Sequence, residues 1–197
     1  MNNQYESFQH TFLIAMPQMD DPICTKAVVY LYEFNAQGAM GIMINKPIEH
    51  LKLGDLLQQF SIDAEDEVDN ALIYRGGPLA VDQGFIIRRR HRRKTANHPL
   101  TQLEITISSS RKDLIEIAQK DKLKDVRVAL GYLGWGPGQL DQELMENLWL
   151  TAPFSEATLF EDTPQPESTD KATDMWYAAA ATLGIDLNRL SFEIGHA

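Results

Sequence analysis

Two short polar stretches hold residues that could do chemistry together. Asn45, Lys46 and Pro47 follow an apolar run over 39–44, and Arg75, Gly76, Gly77 and Pro78 follow a second run over 71–75. If the two strand ends lie side by side, Lys46 and Arg75 form a cationic pocket with open backbone amides, able to hold a carboxylate or a phosphate. Two ordinary strand-to-loop junctions would read the same way, because such turns are common. The deciding observation is whether Lys46, Arg75 and the Gly77 amide converge on one concave site.

A second cationic feature is the run Arg88, Arg89, Arg90, His91, Arg92, Arg93 and Lys94. Basic clusters of this length can track a phosphate backbone. No aromatic residue interleaves this one, and no helix-turn-helix or zinc-finger spacing accompanies it. The preferred reading is a solvated loop held near acids such as Asp63, Glu65, Asp66, Glu67 and Asp69, since surface charge runs usually only keep a face wet.

The turn Gly134, Gly136 and Gly138 stands where a phosphate-cradling loop would stand, but it fails that test in detail. Gln139 occupies the place of the third fingerprint glycine, Pro137 removes a backbone donor, and Asp141 and Glu143 would repel a phosphate while suiting a helix N-terminus. Leu140, Leu144 and Leu148 give that helix a core-facing edge. The histidines 10, 50, 91, 98 and 196 show no paired spacing, so no metal site is expected. Ser108, Ser109 and Ser110 lie outside any nucleophile elbow, Asp20 and Asp21 point apart in a turn, and the single Cys24 reads as a small buried hydrophobe. No catalytic constellation and no cofactor are expected.

Composition narrows the class. The chain has 197 residues, 44% of them hydrophobic and 23% charged, which suits one globular unit with a real core. A formal charge of −10 disfavours nucleic acid and anionic lipid as partners. The six Arg and Lys residues of the basic run leave twelve bases against twenty-eight acids elsewhere, so the run is a basic island on an acidic body. No apolar stretch approaches the roughly 18 residues that crossing a bilayer needs, and the N-terminus lacks a leader pattern, so the expected compartment is the cytoplasm.

The elements that must position these groups follow from hydrophobic period and punctuation. Strands are predicted over 11–16, 25–34, 39–44, 71–75, 83–87 and 103–107, and an apolar run from 126 leads into the glycine turn. Helices are predicted after Leu53, after a capping box of Ser110 and Asp113, after the glycine turn, after Ser155, and over 171–183 with Gly184 as its C-terminal glycine. The acidic stretch 61–70 reads as a solvated loop, and 163–168 as the most loop-like segment.

The segments FLIAMPQMDDP at 12–22, GAMGIMINKP at 38–47, GGP at 76–78 with GF at 84–85, and GYLGWGPGQLDQEL at 131–144 resemble the YqgE/AlgH family of bacterial proteins. TISSSRKDL, LGID and the terminal GHA extend the likeness over nearly the whole chain. The resemblance implies a single α+β domain whose branched, strongly curved sheet forms a pseudo-barrel with helices packed outside, the C-terminal helical segment from about 168 included. It brings no established catalytic or binding residues. The family name partly reflects a member linked to regulation of alginate synthesis. The resemblance, together with the absence of a recognisable catalytic constellation, points to a non-enzymatic regulatory or interaction protein, transcriptional regulation among its possible forms, with an unidentified protein partner. The alternative is a small-anion binder, or an enzyme of unrecognised type, built on Asn45, Lys46, Arg75, Gly76 and Gly77. Nucleic-acid binding through 88–94 is the least favoured reading.

Overall fold

The computed structural model describes residues 10–64, 66–91, 103–119, 123–161 and 170–189. Among these residues, nine strands and six α-helices follow in the order β1 (Thr11–Ala15), β2 (Val28–Asn35), β3 (Gly38–Met43), β4 (Pro47–Lys52), α1 (Leu53–Gln59), α2 (Asp66–Asp69), β5 (Leu72–Arg75), β6 (Leu79–His91), β7 (Leu103–Ser108), α3 (Arg111–Gln119), β8 (Val126–Trp135), α4 (Gln139–Met145), β9 (Trp149–Ala152), α5 (Glu156–Phe160) and α6 (Lys171–Ala181). This is a mixed α+β fold. Among the described residues the sheet branches without closing into a barrel.

The branch is β8. Its first half lies parallel to β5, with Ile73 opposite Val128 and Arg75 opposite Leu130, and antiparallel to β6, with Ile87 opposite Arg127. Its second half pairs with β3, Trp135 facing Ala39. One arm then runs β3, β2, β1 and β9, and β7 extends the other from β6. A ten-residue strand can serve three partners only if the chain crosses closely where they change. At that crossing a Cβ on Gly77 would lie 2.1 Å from the carbonyl carbon and oxygen of Tyr132, and one on Gly76 would lie 2.1 Å from the Gly131 oxygen. Gly131 itself has φ +74, a conformation glycine adopts without steric cost.

Three apolar clusters fill the spaces this sheet leaves. Phe12, Tyr30, Ile42, Ile44, Phe85 and Ile87 pack with Trp176 and Ala180 of α6. The Trp176 indole donates to the Ala15 carbonyl at 2.6 Å, tying α6 to β1. Leu13, Val29, Leu31 and Met43 pack on Trp135, Leu140 and Trp149, while Leu56, Leu57 and Ile73 pack on Leu114 and Ile117 of α3. Glu143 is held for a reason that helix-end electrostatics did not suggest. One of its oxygens accepts from the indoles of both Trp135, at 2.8 Å, and Trp149, at 2.7 Å, so α4 is riveted to β8 and β9.

Several elements differ from the sequence expectation. β4 and β9 were not foreseen. β4 begins on a proline and is half-exposed, with His50 at φ 63, so it lacks a regular alternation. The acidic stretch 61–70 contains the helical turn α2 and buries Ile62 and Val68 against α1 and α3. The basic run, expected as a loop, continues β6 as far as His91. Half of the expected capping box forms: Ser110 Oγ accepts from the Asp113 amide at 3.2 Å, but the Asp113 carboxylate accepts from the Ser110 hydroxyl at 2.6 Å, and the Ser110 amide turns to Ser108 Oγ at 3.4 Å.

Glycine 77 therefore tolerates no side chain, while a Cβ on Gly136 would meet nothing nearer than 3.9 Å. Gly77→Ala is expected to lower unfolding free energy by about 3 kcal/mol or more, and Gly136→Ala to change it by less than about 1 kcal/mol. Urea denaturation of both variants checks the contrast.

Candidate functional site

The ends of β3 and β5 lie side by side, as the Arg75 amide donating to the Lys46 carbonyl at 2.7 Å requires. Beside that junction is a cleft of about 400 Å³ lined by Arg75, Gly77, Pro78, Ile23, Ile48, Val81 and Leu130. Its apolar rim is open to solvent: Val81 is 60% exposed and Ile23 36%. The outward turn of the chain between Leu79 and Gly84, where the β6–β8 register shifts, is what presents Val81.

The five residues singled out in sequence have different roles here. Arg75 is exposed at the cleft, and its guanidinium has no hydrogen-bonded or ion-paired partner among the described residues. Lys46 is half-buried next to it and donates to the Ile23 carbonyl at 2.6 Å. Burial holds the Lys46 ammonium below the ordinary lysine range, and the Arg75 charge adds to that against the pull of Cys24, Asp21 and Asp170. Gly77 lines the cleft. The Gly76 amide and carbonyl are spent on Leu130 and Met43.

Asn45 is buried and faces inward. Its side-chain oxygen accepts from the Val28 amide at 2.8 Å, and its nitrogen donates to the carbonyls of Lys26 and Ala172 at 2.9 and 2.8 Å. It clips β2, the end of β3 and the start of α6 together. Cys24, close to Lys46, is buried, and burial first and Asp21 second push its thiol up to about 12, which disfavours the thiolate at neutral pH.

The described part of the basic run is occupied by carboxylates, though not those expected. Arg88 bonds Glu116 at 2.5 Å and lies 3.8 Å from Asp113. Arg89 bonds Asp125 through Nε at 2.8 Å and Glu156 at 2.6 Å, with its guanidinium over the Phe160 ring. Arg90 is half-exposed, 3.9 Å from Glu116. Arg92, Arg93 and Lys94 lie outside the described residues, as does Glu65. A strand whose consecutive arginines meet acids of α3, of the turn before β8 and of α5 was not visible in sequence, because Asp113, Glu116, Asp125 and Glu156 are remote along the chain.

Buried Arg127 went unnoticed in sequence for the same reason. It stacks on the Tyr74 ring at 4.3 Å and donates to the Ile44 carbonyl, beside Asn45.

Asp113 accepts from Ser108 and Ser110, and these bonds, helped by Arg88 and Arg90, hold its carboxyl below the ordinary 3.8. A folded-state value below the unfolded one stabilises the fold above pH 3.8 and is lost as pH falls through the depressed value. The stability advantage of wild type over Asp113→Asn is therefore expected to be full at neutral pH and to close in acid below 3.8. Urea titrations across that range read it.

Comparison with known proteins places this geometry in a family. The AlgH-like family model matches residues 12–188. A UPF0301 protein of Sodalis glossinidius is 41% identical over 197 aligned residues, covering 97% of this chain and 100% of its own, and the UPF0301 protein YqgE of Escherichia coli O1:K1 is 39% identical with the same coverage. The solution structure of AlgH from Pseudomonas aeruginosa superposes with a TM-score of 0.70 at 38% identity, covering 100% of this chain and 98% of that one. A crystal structure from Corynebacterium diphtheriae, 18% identical with a TM-score of 0.68, shares the fold. With its model match and its full-length relatives, the chain belongs to the AlgH-like family.

Proposed function

We propose that this is a non-enzymatic interaction protein of the bacterial cytoplasm, regulatory through binding, whose partner is a protein segment presenting a carboxylate beside apolar side chains to the Arg75 cleft. The observation that carries the reading is a guanidinium, unpaired among the described residues, on the rim of an exposed apolar cleft. Elsewhere in the described chain Arg88 and Arg89 are matched with carboxylates and Arg127 is buried against Tyr74. An arginine with an apolar surround suits bidentate carboxylate recognition, and the exposed Ile23 and Val81 supply area to bury. Commitment of Arg88 and Arg89 to internal carboxylates also favours this reading over nucleic acid. No described helix is long and apolar enough to cross a membrane.

Selection from a displayed random-peptide library, with Arg75→Glu as the counter-target, tests the proposal. Enriched peptides are expected to pair an acidic residue with apolar neighbours and to bind Arg75→Ala about 10- to 100-fold more weakly, the worth of one charge-assisted hydrogen-bond pair. Peptides that lack acids or ignore the substitution would contradict it. Thermal stabilisation by inorganic phosphate or simple carboxylates, abolished in Lys46→Ala, Arg75→Ala, would instead favour the small-anion reading.

A further inference from the structure

The two arms of the sheet part at β8, and the wedge between them holds a second cavity of about 340 Å³. Tyr30 and Tyr32 line it from β2, Phe85 from β6, and Ile105 and Ile107 from β7. His10, Ser108 and Ser109 complete the lining. This volume lies within the roughly 300–1,000 Å³ of small-molecule sites, and the mix of apolar walls with a few polar groups is the mix such sites have.

The aromatic walls are held in place from behind. Phe85 meets Tyr132 edge-on at 5.7 Å, and Tyr30 packs against Phe12 at 5.8 Å and Phe154 at 6.1 Å. Rings fixed in this way offer a face or an edge to another ring without first having to be ordered. No Lys, Arg, Asp or Glu is among the described lining residues, so a charged molecule would lose water with no counter-charge from them to meet it.

Polar groups sit at one end. His10 Nδ1 and the Tyr30 hydroxyl are 2.6 Å apart. Burial keeps the Tyr30 phenol protonated well beyond neutral pH, and it pushes the Tyr32 phenol up to about 12, helped by Glu33 and Tyr132. His10 takes φ +60, a left-handed conformation that disfavours residues with a Cβ, at the position that brings its ring to this phenol. The Ser109 hydroxyl has no hydrogen-bond partner among the described residues.

We propose that this wedge binds a neutral, planar aromatic or heteroaromatic small molecule, its ring against Tyr32 and Phe85 and its polar edge on Ser109 and on His10, whose ring the buried Tyr30 hydroxyl positions. The site is separate from the Arg75 cleft, so either can fail without the other.

The test titrates the ¹⁵N-labelled full chain with indole and with adenine, two neutral planar probes, and with cyclohexanol and benzoate as non-planar and charged counterparts. Saturable amide shifts are expected for indole or adenine at residues 30–32, 85 and 105–109, with cyclohexanol and benzoate leaving those residues unshifted. Tyr32→Ala is expected to weaken the response about fivefold or more, as loss of one ring contact does. Should that variant misfold, Ser109→Trp, which fills the wedge from its exposed rim, is expected to abolish the shifts. The proposal is overturned if neither planar probe shifts these residues, if cyclohexanol does so equally, or if the folded variants respond like wild type.

Discussion

Everything in this molecule hangs on a backbone crossing with no room for side chains. At the middle of β8, Gly76 and Gly77 lie against Gly131 and Tyr132 so closely that a Cβ would overlap main-chain atoms. Because the contact is backbone on backbone, no rotamer change can relieve a substitution there. The crossing allows one strand to serve β5, β6 and β3, and so it splits the sheet into two arms. It also throws Pro78, Leu79 and Val81 outward, next to Arg75. Both cavities follow from it: one beside the junction, the other in the wedge where the arms part.

Buried polarity reinforces that geometry. Asn45 and Arg127 are the buried polar or charged residues of the described core, and both act at the end of β3. Arg127 donates to Ile44, while Asn45 satisfies Val28, Lys26 and Ala172. Buried donors and acceptors left unmatched cost about 1–3 kcal/mol each, so such a set specifies one register strongly. Lys46 and Arg75, next in line at the same strand ends, are what remains on the solvent side. Their mutual repulsion and the apolar rim define a surface that an anionic group would suit.

Much of this was legible in sequence, for identifiable reasons. Alternating or β-branched runs marked β1, β2, β3, β5 and β7, and Ser110, Ser155 and Gly184 marked helix ends through local bonding rules that need no tertiary information. The Gly76–Gly77 pair was recognisable as a close approach, and its pairing with the Asn45 turn could be guessed. What was hidden depends on contacts between distant residues. Glu143 looked like a helix-end charge until two tryptophans met on it. Arg88 and Arg89 looked solvated because their carboxylates come from α3, the turn before β8, and α5. Asn45 looked like a site residue because a buried clip and a ligand contact use the same amide.

The claim that β8 is the shared axis of both arms is tested most directly by native-state amide hydrogen exchange. Residues 128–133 of β8 are predicted to be among the slowest-exchanging amides and to open only with global unfolding, while the edge strands β4 and β9 exchange through smaller openings. If the β8 amides exchange as fast as those edges, the two arms are held together elsewhere and the account is contradicted.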